Sequence, residues 1–183
     1  MKKTNCTLCV IKPHVIKAQQ AGELLTHISS SGYCIEGLFS VHMTLQMAHE
    51  LFEVYRGMVW LVGWTRAVVR HYLHTHATNR FCVGVLPNYT ALIEHMCITP
   101  VLAVLITGGT KGNTGSDWDD TTVVSSFREF AGPHNPSLAK ALRPRSLRAL
   151  FGVDSVRNAV HCTDLEDDGE LECRYFFETL ASL

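Results

Sequence analysis

The sequence predicts an α+β fold in which helices cover one antiparallel sheet. Short apolar runs of strand character alternate with segments whose apolar residues recur at helical spacing. No internal repeat and no linker-like stretch divides the chain. Its 183 residues suffice for one domain with a proper core, and 46% hydrophobic with 18% charged residues is typical of globular proteins. We therefore expect a single domain spanning residues 1–183.

The first elements are a strand, a helix and a second strand. Cys6 to Ile11 is predicted to be a buried strand that stops at Pro13, because proline has no N–H for the sheet ladder. Gln20 to Ser30 has helical spacing and closes at Gly32. Tyr33 to Met43 alternates imperfectly and is predicted to be the second strand.

The middle of the chain continues the alternation. Thr44 is predicted to cap a helix that ends at Gly57, since a threonine oxygen can accept a first-turn N–H. A further helix is predicted from Asn88 through Met96. Pro100 then introduces a third strand, Val101 to Ile106.

The last third adds a helix at about Thr122 to Phe130, closed by Gly132, and a helical turn at Ser146 to Phe151. A short final strand is predicted at Ala159 to His161, and a last helix at Leu171 to Leu180. This order of elements favours a ferredoxin-like sandwich, a four-stranded antiparallel sheet covered by helices.

Composition narrows the function classes. A net charge of −1 gives no overall attraction to nucleic acid, and no segment approaches the roughly 20 apolar residues of a membrane span. The apolar run near the N-terminus is too short for a signal peptide. Seven scattered cysteines indicate reduced thiols in the cytoplasm. Cys6 and Cys9 stand three apart on a strand and so face opposite sides, which favours two core thiols over a zinc or redox pair.

Two stretches interrupt the alternation and are interpreted as insertions, at about residues 61–86 and 108–120. The first is apolar but irregular, and its histidine run at His71, His74 and His76 is interpreted as solvated rather than metal-binding. The second resembles a phosphate-binding loop, but its Lys111 comes too early for that motif. We interpret it as a surface loop and predict no protein-held metal site.

One histidine is surrounded in sequence by residue types that support nucleophilic catalysis. His161 ends a short apolar run, with Asn158 before it, Thr163 after it, and Arg148 and Glu172 nearby in sequence. A neutral imidazole is a good nucleophile near pH 7, a carboxylate can fix its tautomer, and arginines stabilise a phosphoryl group in transfer. The run is a candidate phosphohistidine site. The alternative is a histidine that merely caps a strand.

Three motifs in this order carry a family resemblance: Lys12-Pro13, the run from Phe127 to Pro133, and the run from Asn158 to Asp164. Together they make the chain similar to nucleoside diphosphate kinases, over nearly everything except the two insertions. Three features together most resemble the flagellar, microtubule-associated, tandem-domain branch. They are His14 in place of the usual aspartate after Lys-Pro, the Phe-Arg-Glu-Phe run at 127–130, and the run from His161 to Leu165 with the acidic pair and glycine that follow it.

The resemblance implies roles for individual residues. His161 matches the histidine that takes the γ-phosphate, Glu172 the carboxylate that orients it, and Thr163 the hydrogen-bonding neighbour of that carboxylate. The residues that match groups holding phosphates and sugar are Lys12, Arg128, Arg148 and Asn158. The resemblance also implies Mg²⁺ bound with the nucleotide, which needs few protein ligands.

The chain departs from the family pattern at three places. Phe52 stands where the family usually has a tyrosine near the histidine, and His134 replaces a threonine that contacts phosphate; its ring can still donate a hydrogen bond. The insertion at 61–86 interrupts the helical pair that forms the mouth of the base-binding cleft. Trp60 is interpreted either as the aromatic residue that stacks on the base or as an ordinary core residue.

Two functions follow from the resemblance. The first is a nucleoside diphosphate kinase that passes the γ-phosphate of ATP to nucleoside diphosphates through His161 in a ping-pong cycle. The second is a kinase-like scaffold of the ciliary or flagellar axoneme with weak or no turnover, with microtubule or axoneme proteins as partners. The resemblance further implies a homo-oligomer, a dimer or a hexamer. We expect a cytoplasmic location, extended by the branch resemblance to the cilium or flagellum, and neither a membrane nor a specific nucleic-acid partner.

Overall fold

A computed structural model of the chain describes residues 5–52, 88–108 and 122–182. Within them, one four-stranded sheet is formed by β1 (Cys6–Ile11), β2 (Tyr33–Val41), β3 (Val101–Gly108) and β4 (Val160–Cys162). The strand order is β2-β3-β1-β4, and every neighbouring pair is antiparallel. This arrangement confirms the predicted ferredoxin-like sandwich.

Eight helices lie in the described residues: α1 (Pro13–Lys17), α2 (Ala21–Ser30), α3 (Leu45–Leu51), α4 (Tyr89–Met96), α5 (Val123–Ala131), α6 (Pro136–Leu142), α7 (Leu147–Phe151) and α8 (Gly169–Arg174). A 3-10 turn at Glu166–Asp168 precedes α8, and a π-helical turn at Tyr175–Thr179 and a 3-10 turn at Leu180–Ser182 follow it. The sequence did not predict α1 or α6, and it placed the start of the last helix two residues late.

Local side-chain chemistry explains several helix ends. The Thr44 hydroxyl accepts the N–H of Met47 at 3.2 Å, and the Thr122 hydroxyl accepts that of Ser125 at 3.3 Å, so each satisfies a first-turn donor. At the other end of α5, Gly132 has φ of 84°. That conformation is open almost only to glycine, so α5 ends there.

Both faces of the sheet are covered. Along β1, Cys9 and Ile11 join a core formed with α2, α5 and α7, whereas Leu8 and Val10 join a second core formed with α3, α4 and α8. Cys6 packs against the second core and Cys9 lies in the first. The prediction that these two thiols face opposite sides of a strand is therefore confirmed.

Several predicted features lie outside the described residues: Trp60, the helix end at Gly57, the histidine run at 71–76, residues 61–86, and the second insertion apart from Gly108. Among the helices of the described ranges, none combines the length and the apolarity that crossing a bilayer would require.

Candidate active site

The site is built around β4, which pairs with β1 so that His161 stands opposite Val10. Side chains alternate along a strand, and Val160 and Cys162 point into the first core. His161 points to the other face of the sheet. Its side chain is only 4% exposed, so the ring lies under the surface.

Helix α8 brings a carboxylate to this ring. Oε2 of Glu172 lies 3.5 Å from Nε2 of His161, and the hydroxyl of Thr163 donates to the same oxygen at 2.9 Å. Thr163 is fully buried and also accepts the N–H of Leu8 at 3.1 Å. The carboxylate is thus tied to β1 through one hydroxyl, and it faces the ring nitrogen from a fixed place.

An aromatic ring covers the histidine from α3. Phe52, at the C-terminal end of that helix, meets His161 edge to face, with ring centroids 5.3 Å apart and planes at 85°. Phe52 is 2% exposed. It lies beside the histidine, as the sequence predicted for that position, and it supplies apolar contact rather than a hydroxyl.

Lys12 joins the site from the start of α1. Its backbone N–H donates to the carbonyl of Ala159 at 3.0 Å, and its Nζ donates to the carbonyl of Val156 at 3.0 Å. The side chain is buried, and burial, with Arg148 as a nearby like charge, lowers the pKa of Lys12 to about 7. An anionic ligand beside this amine would favour its charged form.

The two predicted arginines are anchored near the two ends of β4. Arg148 donates to the carbonyls of Gly132, at 2.7 Å, and of Val160, at 3.2 Å. Arg128 forms an ion pair with Asp164 at 2.9 Å and also donates to the backbone carbonyl of that residue. Both guanidinium groups are therefore held next to the strand that carries the histidine.

Asn158 and His134 contact each other. Nδ2 of Asn158 lies 3.0 Å from the carbonyl of His134 and 3.1 Å from its Nδ1. Burial, reinforced by the cations Arg148 and Lys12, lowers the pKa of His134 to about 4. His134 is thus a neutral ring, and the nitrogen that meets Asn158 acts as an acceptor.

Oδ1 of Asn158 and Nε of Arg148 are buried polar atoms of the site that have no hydrogen-bond partner in the described ranges. Native proteins rarely leave such groups unsatisfied. One is an acceptor and the other a cationic donor. This pair of atoms suits a ligand that carries both hydroxyl and phosphate groups.

Nine of the ten predicted site residues are described, and each contacts the segment from residue 154 to 172 or belongs to it. These nine are Lys12, Phe52, Arg128, His134, Arg148, Asn158, His161, Thr163 and Glu172. The tenth, Trp60, lies outside the described residues. The sequence missed one participant: His95 of α4 reaches the site through His14, and no local pattern marks it.

Known proteins resemble this chain along most of its length. The family model for nucleoside diphosphate kinase matches residues 62–181. The chain is 32% identical over 179 residues to nucleoside diphosphate kinase homolog 7 of Mus musculus, covering 98% of this chain and 35% of that protein. It is 25% identical over 171 residues to nucleoside diphosphate kinase of Actinobacillus pleuropneumoniae serotype 3, covering 93% of each.

A solved structure, the nucleoside diphosphate kinase of Aquifex aeolicus, shares the fold with a TM-score of 0.68 at 24% identity, over 96% of each chain. The chain belongs to the nucleoside diphosphate kinase family, as the sequence motifs predicted. It spans about a third of the length of the mouse relative, of which it covers 35%.

Proposed function

We propose that this chain is a nucleoside diphosphate kinase that carries the phosphoryl group on His161. One observation carries the proposal: Oε2 of Glu172 faces Nε2 of His161 at 3.5 Å while Thr163 holds the same oxygen at 2.9 Å. This arrangement favours the tautomer with its proton on Nε2. The lone pair then lies on Nδ1, which is the nucleophile.

In the first half-reaction, Nδ1 of His161 attacks the γ-phosphorus of ATP. A nitrogen–phosphorus bond forms, the bond from that phosphorus to the β–γ bridging oxygen breaks, and ADP leaves with the electron pair. In the second half-reaction, a terminal oxygen of a nucleoside diphosphate attacks the phosphorus on His161. The nitrogen–phosphorus bond breaks, its electron pair returns to Nδ1, and a nucleoside triphosphate leaves. Nε2 keeps its proton throughout, and Glu172 stabilises the ring while it carries the phosphoryl group.

The cations supply the charge that such a transfer needs. Phosphoryl transfer depends mainly on positioning and electrostatic stabilisation, and Lys12, Arg148 and Arg128 are each anchored beside β4. Oδ1 of Asn158 is an acceptor suited to a ribose hydroxyl. Because these contacts address phosphate and ribose, we expect little discrimination between bases.

Mg²⁺ is part of the proposal as a companion of the nucleotide. The carboxylates beside the cations, Asp164 and Asp154, are paired with Arg128 and Arg157. In the described ranges no group of three or more potential metal-ligating side chains occurs. Phosphate oxygens of the nucleotide would therefore hold such an ion, and it would neutralise part of their charge.

A second candidate function is a kinase-like scaffold with weak or no turnover, in keeping with the axonemal setting expected from the sequence. One observation favours it: His161 and Lys12 are 5% and 2% exposed. A nucleotide reaches such groups only if the covering side chains move. On this alternative, partners bind the outer surface and the buried site only stabilises the fold.

One experiment separates the two. The purified chain is incubated with γ-labelled ATP and Mg²⁺, and the label is tested for acid lability and alkali stability, which mark a phosphohistidine. We expect labelling in the wild type and none in His161→Ala. His49→Ala is the matched control, because that exposed histidine contacts Tyr89 and none of the described site residues, so the change should leave labelling intact.

A chase with a nucleoside diphosphate completes the test. Release of the label as triphosphate supports the kinase. A folded wild-type chain that takes no label contradicts the kinase and supports the scaffold. Label that stays on the chain through the chase contradicts turnover between nucleotides.

Assembly and location are further parts of the proposal. We propose a homo-oligomer, a dimer or hexamer, in the cytoplasm or at the cilium or flagellum. Sedimentation equilibrium of the purified chain measures the assembly directly, and a monomeric mass over the working concentration range would contradict it. Imaging of the tagged full-length protein in a ciliated cell tests the location.

A further inference from the structure

Two histidines that the mechanism does not use form a line of contacts that ends at Ala159, the residue before β4. His14 belongs to α1 and His95 to α4, yet Nδ1 of His14 lies 3.1 Å from Nε2 of His95. Their ring centroids are 5.3 Å apart, with planes inclined by 39°. The other nitrogen of His14, Nε2, accepts the backbone N–H of Ala159 at 3.3 Å. The contacts thus run from α4 through α1 to the residue that follows Asn158.

The directions of these hydrogen bonds determine which ring nitrogen of each histidine carries the proton. A backbone N–H can only donate, so Nε2 of His14 is an acceptor and the ring carries its proton on Nδ1. That proton is donated to Nε2 of His95, which places the proton of His95 on its Nδ1. The chain of bonds exists only while both rings are neutral. Burial lowers the pKa of His14 to about 4, and the His95 ring and the Lys12 charge add to this effect. Burial likewise lowers the pKa of His95 to about 4, and Lys12 is the next largest cause.

Ala159 needs such support. It is fully buried and has φ of 73°, a left-handed conformation that residues other than glycine rarely adopt. Its carbonyl accepts the N–H of Lys12 at 3.0 Å, and its own N–H goes to His14. Both backbone polar groups of Ala159 are therefore held, the carbonyl by Lys12 just before α1 and the N–H by His14 in α1. Asn158 immediately precedes this turn and His161 follows two residues later.

We propose that His14 and His95 are positioning residues that hold Ala159 in its left-handed turn and thereby set the places of Asn158 and His161 relative to Lys12. The predicted effect on phosphoryl transfer rests on the proposed function, whereas the hold on Ala159 does not. A neutral acceptor also adds no negative charge beside Lys12, unlike the aspartate expected at this position from the family resemblance. The Lys12 amine therefore has no ion pair with residue 14 to give up when a phosphate binds.

Amide side chains test the proposal at each histidine. Glutamine places a polar atom near Nε2 of a histidine, whereas asparagine places one near Nδ1 and falls short of Nε2. His14→Gln can accept from Ala159, and His95→Gln can accept from His14. The two asparagine variants lose these bonds. His27→Asn is the control, because His27 contacts the Arg145 carbonyl instead.

The first measurement follows the turn itself. Amide hydrogen exchange by NMR should show the Ala159 N–H protected in the wild type, His14→Gln and His27→Asn, and exchanging at least about tenfold faster in His14→Asn. ¹⁵N shifts of the imidazoles should place the proton of His14 on Nδ1. Unchanged protection in His14→Asn, or a proton on Nε2 of His14, would overturn the proposal even if the chain takes no phosphate.

The second measurement follows the chemistry. Initial rates of His161 labelling at saturating ATP should fall about tenfold or more in the two asparagine variants and recover in the two glutamine variants, because small displacements of reacting groups cost large factors in rate. A loss that glutamine does not restore, or rates that remain at the wild-type level, contradicts the positioning role. Absence of labelling in the wild type instead refutes the proposed function, and the exchange measurement then decides the role of the pair.

Discussion

Thr163 donates its hydroxyl proton to Glu172 at 2.9 Å and accepts the N–H of Leu8 at 3.1 Å, so one buried oxygen links the orienting carboxylate to β1. Thr163→Val keeps the shape but removes both bonds. The buried N–H of Leu8 then loses its partner, which costs about 1–3 kcal/mol. We expect a lower free energy of unfolding in denaturant titrations and slower labelling of His161.

Thr163→Ser is the matched variant, since it keeps the hydroxyl and loses only a methyl group. It should retain most of the labelling rate. Equal labelling by the valine and serine variants would show that this hydroxyl does not help to place Glu172.

Glu172→Ala removes the group that faces Nε2 of His161. Fewer rings then carry the proton on Nε2, so labelling with γ-labelled ATP should slow by about a hundredfold, within the usual range for a residue that assists proton placement. Glu170→Ala is the control on the same helix, because that side chain is exposed. A wild-type rate in Glu172→Ala would remove the carboxylate from the mechanism.

Lys12 makes stability depend on pH. Its pKa is about 7 in the folded chain, mainly because of burial, against an ordinary value of 10.5. Between these values the unfolded chain binds more protons, so the Lys12 contribution makes the free energy of unfolding rise with pH over this window. Lys12→Met should flatten this rise in denaturant titrations at successive pH values. Lys17→Met, which changes an exposed lysine at the other end of α1, should not.

The same amine should take up a proton when nucleotide binds. Phosphate beside Lys12 favours the charged form, so binding at pH 8 draws a proton from the buffer. Calorimetric titrations in buffers of different ionisation enthalpy measure this uptake. We expect a substantial fraction of one proton in the wild type and a clearly smaller uptake in Lys12→Met. Equal uptake by both would place the titrating group elsewhere.

Two glycines should respond to alanine in opposite directions. A methyl group at Gly132 would lie 2.3 Å from Oγ of Ser146, and the φ of 84° there disfavours any side chain. Gly132→Ala should therefore lose about 2–5 kcal/mol of stability. At Gly22, in the first turn of α2, a methyl group meets nothing within 4 Å, so Gly22→Ala should gain about 0.5 kcal/mol. Thermal unfolding compares the two variants. A Gly132→Ala chain as stable as the wild type would show that this position accepts a side chain.

Much of the fold was predictable because some residues interact with backbone groups only a few positions away. Thr44 and Thr122 cap helices, and Gly132 ends one, because their effects need only a few neighbouring N–H or C=O groups. The family resemblance also implied that Thr163 is the hydrogen-bonding neighbour of Glu172, and the structure has this bond at 2.9 Å.

Two helices were missed for a physical reason. Pro13 was interpreted only as the end of a strand, but proline also suits the first position of a helix, where its missing N–H costs nothing. The same holds for Pro136, and Asn135 before it caps α6 by accepting the N–H groups of Ser137 and Leu138. The contact of His14 with His95 spans 81 residues, and no local pattern encodes such a pairing.

The C-terminal helical segment has two roles, and a wide π-helical turn at Tyr175–Thr179 lies between the residues that perform them. Upstream, α8 must present Glu172 to the histidine; downstream, Phe176 and Leu180 must fill the second core. One additional residue in the turn changes the angular phase between these halves. Phe176 and Leu180 can therefore pack into the second core while Glu172 still faces His161.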